Sequence, residues 1–121
     1  MHYCILVIGE DYEDQLAQYN EDIPYNQQAR WDWYEKGGRW KDTFTLKDGS
    51  HTDEAPKWEI DNISDLDPYA VVKEGIWYER APWFGDEEKD KENNEKWKKE
   101  VQDLLSDVEN DDTLIIVDCH Y

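Results

Sequence analysis

Apolar and polar positions change period several times along the chain, and each change marks an element. His2-Tyr3-Cys4-Ile5-Leu6-Val7-Ile8 is an almost unbroken apolar run closed by Gly9, and Thr113-Leu114-Ile115-Ile116-Val117-Asp118-Cys119-His120-Tyr121 has the same character. Short runs rich in β-branched residues predict buried strands, expected here side by side in the middle of one sheet. Tyr12, Leu16 and Tyr19 share a helical face and predict a short helix. Residues 20–29, with Pro24 and a polar run, predict loop. Thr43-Phe44-Thr45-Leu46 leading into Lys47-Asp48-Gly49-Ser50 predicts a strand entering a tight turn, because Asp-Gly accepts positive φ angles. Tyr69-Ala70-Val71-Val72 and Ile76-Trp77-Tyr78-Glu79, joined through Lys73-Glu74-Gly75, predict a hairpin, and Pro68 stops the turn Ser64–Asp67 before it.

The clearest helix spans about Asp86 to Val108. Trp97, Val101, Leu104, Leu105 and Val108 recur at spacings of 4, 3, 1 and 3, which puts them on one helical face. Acidic residues crowd its first turns, where the helix dipole favours them. Its first half carries so little apolar material that it is expected to project into solvent or to start late. This order of elements predicts one α+β domain over residues 1–121. The expected arrangement is an antiparallel sheet with the long helix on one face, resembling a ferredoxin-like sandwich.

Composition sharpens that picture. A chain of 121 residues suffices for one core, and seven Trp with eight Tyr make that core largely aromatic. The aromatic content argues against disorder despite a charged fraction of 36%. The formal charge is −18, from 31 acidic and 13 basic residues, and it is unevenly placed. Glu10, Asp11, Glu13, Asp14, Glu21 and Asp22 lie in a stretch without Lys or Arg. The stretch from Asp48 to Asp67, with Asp53, Glu54, Asp61 and Asp65, holds seven acids against Lys57 alone. The run Asp86–Glu100 is nearly balanced, with seven acids and five lysines. Such a field repels nucleic acid and anionic membrane and attracts basic surfaces, so the expected partner is the basic surface of another protein. No apolar run is long enough to span a bilayer and no basic-flanked leader is evident, so a cytoplasmic location is expected. Two cysteines do not make a disulfide framework, and both are expected free.

The segment Arg30-Trp31-Asp32-Trp33-Tyr34-Glu35-Lys36-Gly37-Gly38-Arg39-Trp40 is the densest chemistry in the chain. One reading is a helical turn ended by left-handed Gly37, with a reversal that brings Arg39 onto the rings or onto Asp32. As a binding element, Trp31, Trp33, Tyr34 and Trp40 would stack on a planar ligand such as a nucleotide while Arg39 grips its anionic group. As a structural element, it is an aromatic mini-core around a tight turn, the commoner outcome. A second cluster, Gly75 to Gly85 with Trp77 and Trp83, is expected to face the first.

His2, Cys4, Cys119 and His120 converge if the terminal strands pair. Their spacing matches no zinc motif, and neighbours on a strand point to opposite faces, so neither a metal nor another cofactor is expected. Asp118 and His120 share a strand face and could orient an acid/base catalyst. No Ser or Cys nucleophile motif and no Gly-rich phosphate loop accompanies them, so no catalytic residue is assigned.

Trp31-Asp32-Trp33-Tyr34 to Gly37-Gly38-Arg39-Trp40, with Gly75-Ile76-Trp77-Tyr78-Glu79, Trp83-Phe84-Gly85 and the final Val117-Asp118-Cys119-His120, resembles a family of small, functionally uncharacterised bacteriophage and prophage proteins. The resemblance covers nearly the whole chain. Arg80-Ala81-Pro82 stands where that family has a Gly-Lys-Met-type stretch. The resemblance implies a bacterial host cytoplasm and a counter-defence role: a non-enzymatic anti-CRISPR or anti-restriction inhibitor, acting by mimicry of nucleic acid. A nucleotide-binding sponge using the Trp/Arg element is the alternative, and a small hydrolase using Asp118, His120 and Arg39 is the second.

Overall fold

The computed structural model describes all 121 residues. Eight strands and two helices follow one another as β1 (His2–Ile8), α1 (Tyr12–Ala17), β2 (Trp33–Lys36), β3 (Phe44–Thr45), β4 (His51–Thr52), β5 (Glu54–Pro56), β6 (Ala70–Lys73), β7 (Ile76–Glu79), α2 (Glu87–Ser106) and β8 (Thr113–His120). The main sheet runs β2-β8-β1-β6-β7, with β5 lying beside β2 along the same side of β8, and β3 and β4 form a separate small hairpin. The two apolar runs are indeed central and antiparallel, in register from His2 opposite His120 to Ile8 opposite Leu114.

The sheet is mostly antiparallel, but its strand order is not that of the expected ferredoxin-like sandwich. A split β-α-β unit places a strand between its two parallel strands, whereas β1 and β6 are parallel, directly hydrogen-bonded neighbours. Local contacts explain the choice. The hairpin turn Glu74-Gly75 has positive φ at both residues, the geometry of a tight two-residue loop. That turn is fastened to α1: the Gly75 carbonyl accepts from Gln18 Nε2 at 2.7 Å and Tyr19 Oη at 2.6 Å, and its N–H donates to Gln15 Oε1 at 3.0 Å. With the turn held on α1, β6 falls beside the strand that α1 follows.

Period-two alternation divides the apolar residues between two faces. Leu6, Ile8, Leu114 and Ile116 meet Trp97, Val101, Leu105 and Val108 of the long helix, with Phe44, Ile60 and Leu66 closing the layer. Each such buried side chain contributes about 2 kcal/mol of transfer free energy. Ile5, Val7, Val72, Ile115, Val117 and Cys119 meet Leu16 of α1 and a collar of Tyr12, Trp31, Tyr34 and Trp77 on the other face. The first half of α2 stays in solvent as expected: between Glu87 and Lys96 only Asp90 is buried. Asp86 caps the helix, accepting from the N–H groups of Glu88 and Lys89. The Trp97 indole N–H donates to the Pro68 carbonyl at 2.6 Å, which satisfies its one polar group inside the core.

Candidate functional site

The Trp/Gly/Arg segment does not form the helical turn considered above. Residues 33–36 extend as β2, paired antiparallel with β8 so that Trp33 lies opposite His120 and Tyr34 opposite Cys119. Alternation therefore splits the aromatics. Trp31 and Tyr34 pack on the α1 face with ring centroids 4.7 Å apart, and Trp31 Nε1 donates to the Leu16 carbonyl at 2.9 Å. Trp33 stands on the opposite face and is 50% exposed, while Trp40 packs partly buried against the α2-side core. The residues proposed to share one pocket are thus on two sides of a sheet. The second cluster meets the first at Arg30, which pairs with Glu79, while β2 and β7 themselves occupy opposite edges.

What the segment does build is a cover over Asp118. Gly37 and Gly38 take φ values of 75° and 52° and turn the chain back across β8. A Cβ on Gly38 would lie 2.5 Å from Asp118 Cβ and Oδ2, so the close approach requires glycine. The approach lets the Arg39 backbone N–H donate to Asp118 Oδ2 at 3.0 Å, while Arg39 itself remains exposed. The other carboxylate oxygen meets His2 Nδ1 at 2.8 Å. Asp118 is 1% exposed, and both its oxygens are satisfied.

Sequence reading paired Asp118 with His120. The structure instead gives Asp118 to His2, a diagonal cross-strand neighbour, and gives His120 to Asp32, Nδ1 to Oδ1 at 2.7 Å. Diagonal cross-strand neighbours are within reach of long side chains. Two Asp–His pairs therefore stand side by side where β1 starts, with imidazole centroids 5.2 Å apart. The Trp33 ring meets His2 edge-on at 6.1 Å. Cys4 and Cys119 are both free, and burial pushes each thiol up to about 12, with Asp118 adding to the effect. Neither thiol is an activated nucleophile.

Clefts lie elsewhere, on the flank that carries the second cluster. Two adjoining hollows of about 610 and 430 Å³ share Tyr3 and Tyr69 as a common wall. One continues to Arg80, Pro82 and Trp83, the other to Arg30, Trp77 and Glu79. Glu79 organises the second: it accepts from Trp77 Nε1 and Tyr69 Oη, each at 3.0 Å, and pairs with Arg30 Nε at 3.4 Å. Arg80 is held by Asn94 at 2.6 Å and Asp67 at 3.7 Å. Of the expected binding aromatics, Trp77 and Trp83 line these clefts, Trp83 being 77% exposed. The signal available in the sequence was scarcity: the chain has three arginines, and two of them meet here.

The predicted acidic surface is divided as well. Glu10, Asp11, Glu13 and Asp14 gather where β1 ends, because Gly9 N–H bonds the Thr113 carbonyl and brings Glu109, Asp111 and Asp112 alongside. All seven are exposed. Asp53 and Glu54 adjoin them near Tyr12, whose hydroxyl is pushed up by burial first and by Glu13, Glu54 and Asp53 in turn. Glu21 and Asp22 sit in the loop after α1, Asp61 sits just before the 3-10 turn at 63–65, and Asp65 ends that turn. Lys36 pairs with Glu54 at 3.4 Å, and two further lysines are occupied by backbone carbonyls. Lys57 Nζ donates to the Leu105 and Val108 carbonyls at 2.7 and 2.8 Å, and Lys73 Nζ donates to the Leu104 carbonyl at 2.8 Å and pairs with Asp107. Both therefore neutralise the C-terminal end of α2, Lys73 together with the Asp107 carboxylate there.

No protein-family model, no curated protein and no solved structure matches this chain. No helix is long and apolar enough to cross a membrane.

Proposed function

We propose that this chain is an acidic, non-enzymatic binding protein that occupies the basic, nucleic-acid-handling surface of a host defence protein, the counter-defence role implied by its resemblance to phage proteins. The observation that carries this reading is the acidic end of the sheet. Seven exposed carboxylates converge there while Lys57 and Lys73 are drawn inward onto helix carbonyls. Convergent exposed carboxylates present a phosphate-like field to a basic groove, and they speed association in a salt-dependent way. Expression in bacteria that carry a restriction or CRISPR nuclease should raise the plating efficiency of a phage those systems restrict. The variant Glu10→Gln/Glu13→Gln/Asp14→Asn/Asp111→Asn should lose that protection while remaining folded. Equal protection by the variant, or none by the parent chain against any defence system tried, would refute the proposal.

The Arg30/Arg80 clefts favour a second reading, a nucleotide ligand stacked on Tyr69, Trp77 or Trp83. In this reading the ligand site moves from the Trp31–Trp40 segment to the opposite edge of the sheet. A panel of nucleotides should then quench tryptophan emission, with the effect lost in Arg30→Ala and retained in Arg39→Ala. A hydrolase built on Asp118, His120 and Arg39 has the least support, because Asp118 orients His2 and both thiols are held protonated.

A further inference from the structure

The two Asp–His pairs suit a chemistry that the binding role does not use. Met1 and Tyr121 exchange both backbone hydrogen bonds, so the next residues, His2 and His120, form a non-hydrogen-bonded cross-strand pair, the type in which side chains stand closest. Each ring has its Nδ1 on a carboxylate, Asp118 at 2.8 Å and Asp32 at 2.7 Å. An ionised carboxylate only accepts, so each Nδ1 carries a hydrogen, and in the neutral ring Nε2 carries the lone pair. His120 Nε2 accepts from the Met1 nitrogen at 3.3 Å, consistent with that tautomer, and His2 Nε2 has no hydrogen-bond partner. Both rings reach solvent, with side-chain exposures of 22% and 40%.

A histidine that ligates a metal through one nitrogen typically donates the other N–H to a carboxylate, which fixes the tautomer and raises the basicity of the ligating atom. Two imidazoles bound tetrahedrally to one ion at bond lengths of about 2.0–2.1 Å have ring centroids about 5 Å apart. The observed separation is 5.2 Å. The carboxylates behind the rings and the acidic character of the whole chain add a field that favours a cation. We infer that His2 and His120 form a two-imidazole site for one divalent first-row transition ion, which displaces the Met1 ammonium from His120 Nε2, with Asp118 and Asp32 as outer supports and water completing the coordination. Imidazole donors select Zn²⁺, Ni²⁺ or Cu²⁺ over the hard cations that surface carboxylates attract.

The probes are Zn²⁺ and Cu²⁺ added as chlorides to the purified full chain in excess Mg²⁺, with binding followed by calorimetry and by tryptophan emission. One ion per chain should bind at micromolar concentration, and Cu²⁺ should quench a component that disappears in Trp33→Phe, since that ring lies 6.1 Å from His2. His2→Ala and His120→Ala should each abolish saturable binding. Asp32→Asn keeps both ligands, lies near the surface and should weaken binding by about 10-fold or more. It therefore tests the outer support even if an Asp118 variant fails to fold. A chain extended ahead of Met1 should bind as well as the parent. Absence of saturable binding, binding unchanged in the His2→Ala/His120→Ala double variant, or binding lost on extension would overturn the assignment.

Discussion

Where β1 ends, carboxylates stand in water and Lys57 and Lys73 turn inward; where it starts, Asp118 is enclosed while the neighbouring Asp32 and Arg39 stay exposed. Glu10, Asp11, Glu13 and Asp14 at the first end are all exposed, whereas Asp118 at the second is 1% exposed. The difference comes from what the backbone offers. The last turn of α2 presents orphan carbonyls, which recruit Lys57 and Lys73. The Gly37-Gly38 reversal presents an orphan N–H, which recruits Asp118. Net charge alone does not distinguish these outcomes. A carboxylate becomes interior when a fixed donor is waiting for it, and stays a surface charge when none is.

The enclosed end should be the fragile one. Gly38→Ala combines a left-handed backbone with a Cβ placed 2.5 Å from the Asp118 side chain, and is expected to cost about 3 kcal/mol in urea unfolding. Asp118→Gly, which removes Cβ as well as the carboxylate, clears the obstruction along with the hydrogen bonds, so the double variant should be less destabilised than the sum of the singles. Strict additivity would mean that Gly38 does not serve the close approach to Asp118.

At the acidic end the largest effect should come from a base. Lys57→Met frees two carbonyls of the α2 C-terminus and removes a charge from the negative pole of the helix, for an expected loss of about 1–2 kcal/mol by thermal or urea unfolding. A loss below about 0.3 kcal/mol would show that water caps the helix equally well.

Much of the frame was legible because it depends on local periodicity. The two central strands, the apolar face of α2 and the Glu74-Gly75 hairpin lie where the pattern put them, and Cys119 and His120 point to opposite faces as strand geometry demands. Three features were not legible, and all are long-range. The parallel pairing of β1 with β6 depends on the Gln15, Gln18 and Tyr19 contacts to a turn some 57 residues away. β2 was read as a helical turn because Trp33-Tyr34-Glu35-Lys36 shows no apolar–polar alternation, which conceals a period of two until β8 supplies the pairing. Asp118 was matched to His120 because only intra-strand spacing is visible in sequence, whereas the nearer histidine, His2, comes from the other terminal strand.

The two ends should also differ in alkali. Cys4, Cys119 and Tyr69 are pushed up to about 12, mainly by burial. A group whose folded value is raised favours the protonated native state, so its stabilising contribution is complete below the unfolded value of 9.0 for the thiols and 10.0 for the tyrosine. That contribution diminishes as pH rises toward 12. Stability measured by urea unfolding should therefore decline from pH 9 upward, and both thiols should resist iodoacetamide at pH 8 until the chain is unfolded. Rapid alkylation of Cys4 in the native protein would place the Asp118 end nearer to water than its burial indicates.

The smallest expected effect is the most discriminating for the division of labour. Asp14 and Asp111 are exposed and make no side-chain hydrogen bond or ion pair, so Asp14→Asn/Asp111→Asn should shift stability by no more than about 0.5 kcal/mol. Relief of like-charge repulsion at that end makes a slight gain as acceptable as a slight loss. The same pair of substitutions should reduce retention on an anion-exchange matrix and slow association with a basic partner at low salt, the difference vanishing as salt rises. Carboxylates that affect association without affecting folding are held in place for contact alone. If removing these two charges destabilised the chain as much as Asp118→Gly does, the acidic end would be part of the framework, and its claim to be the docking surface would fail.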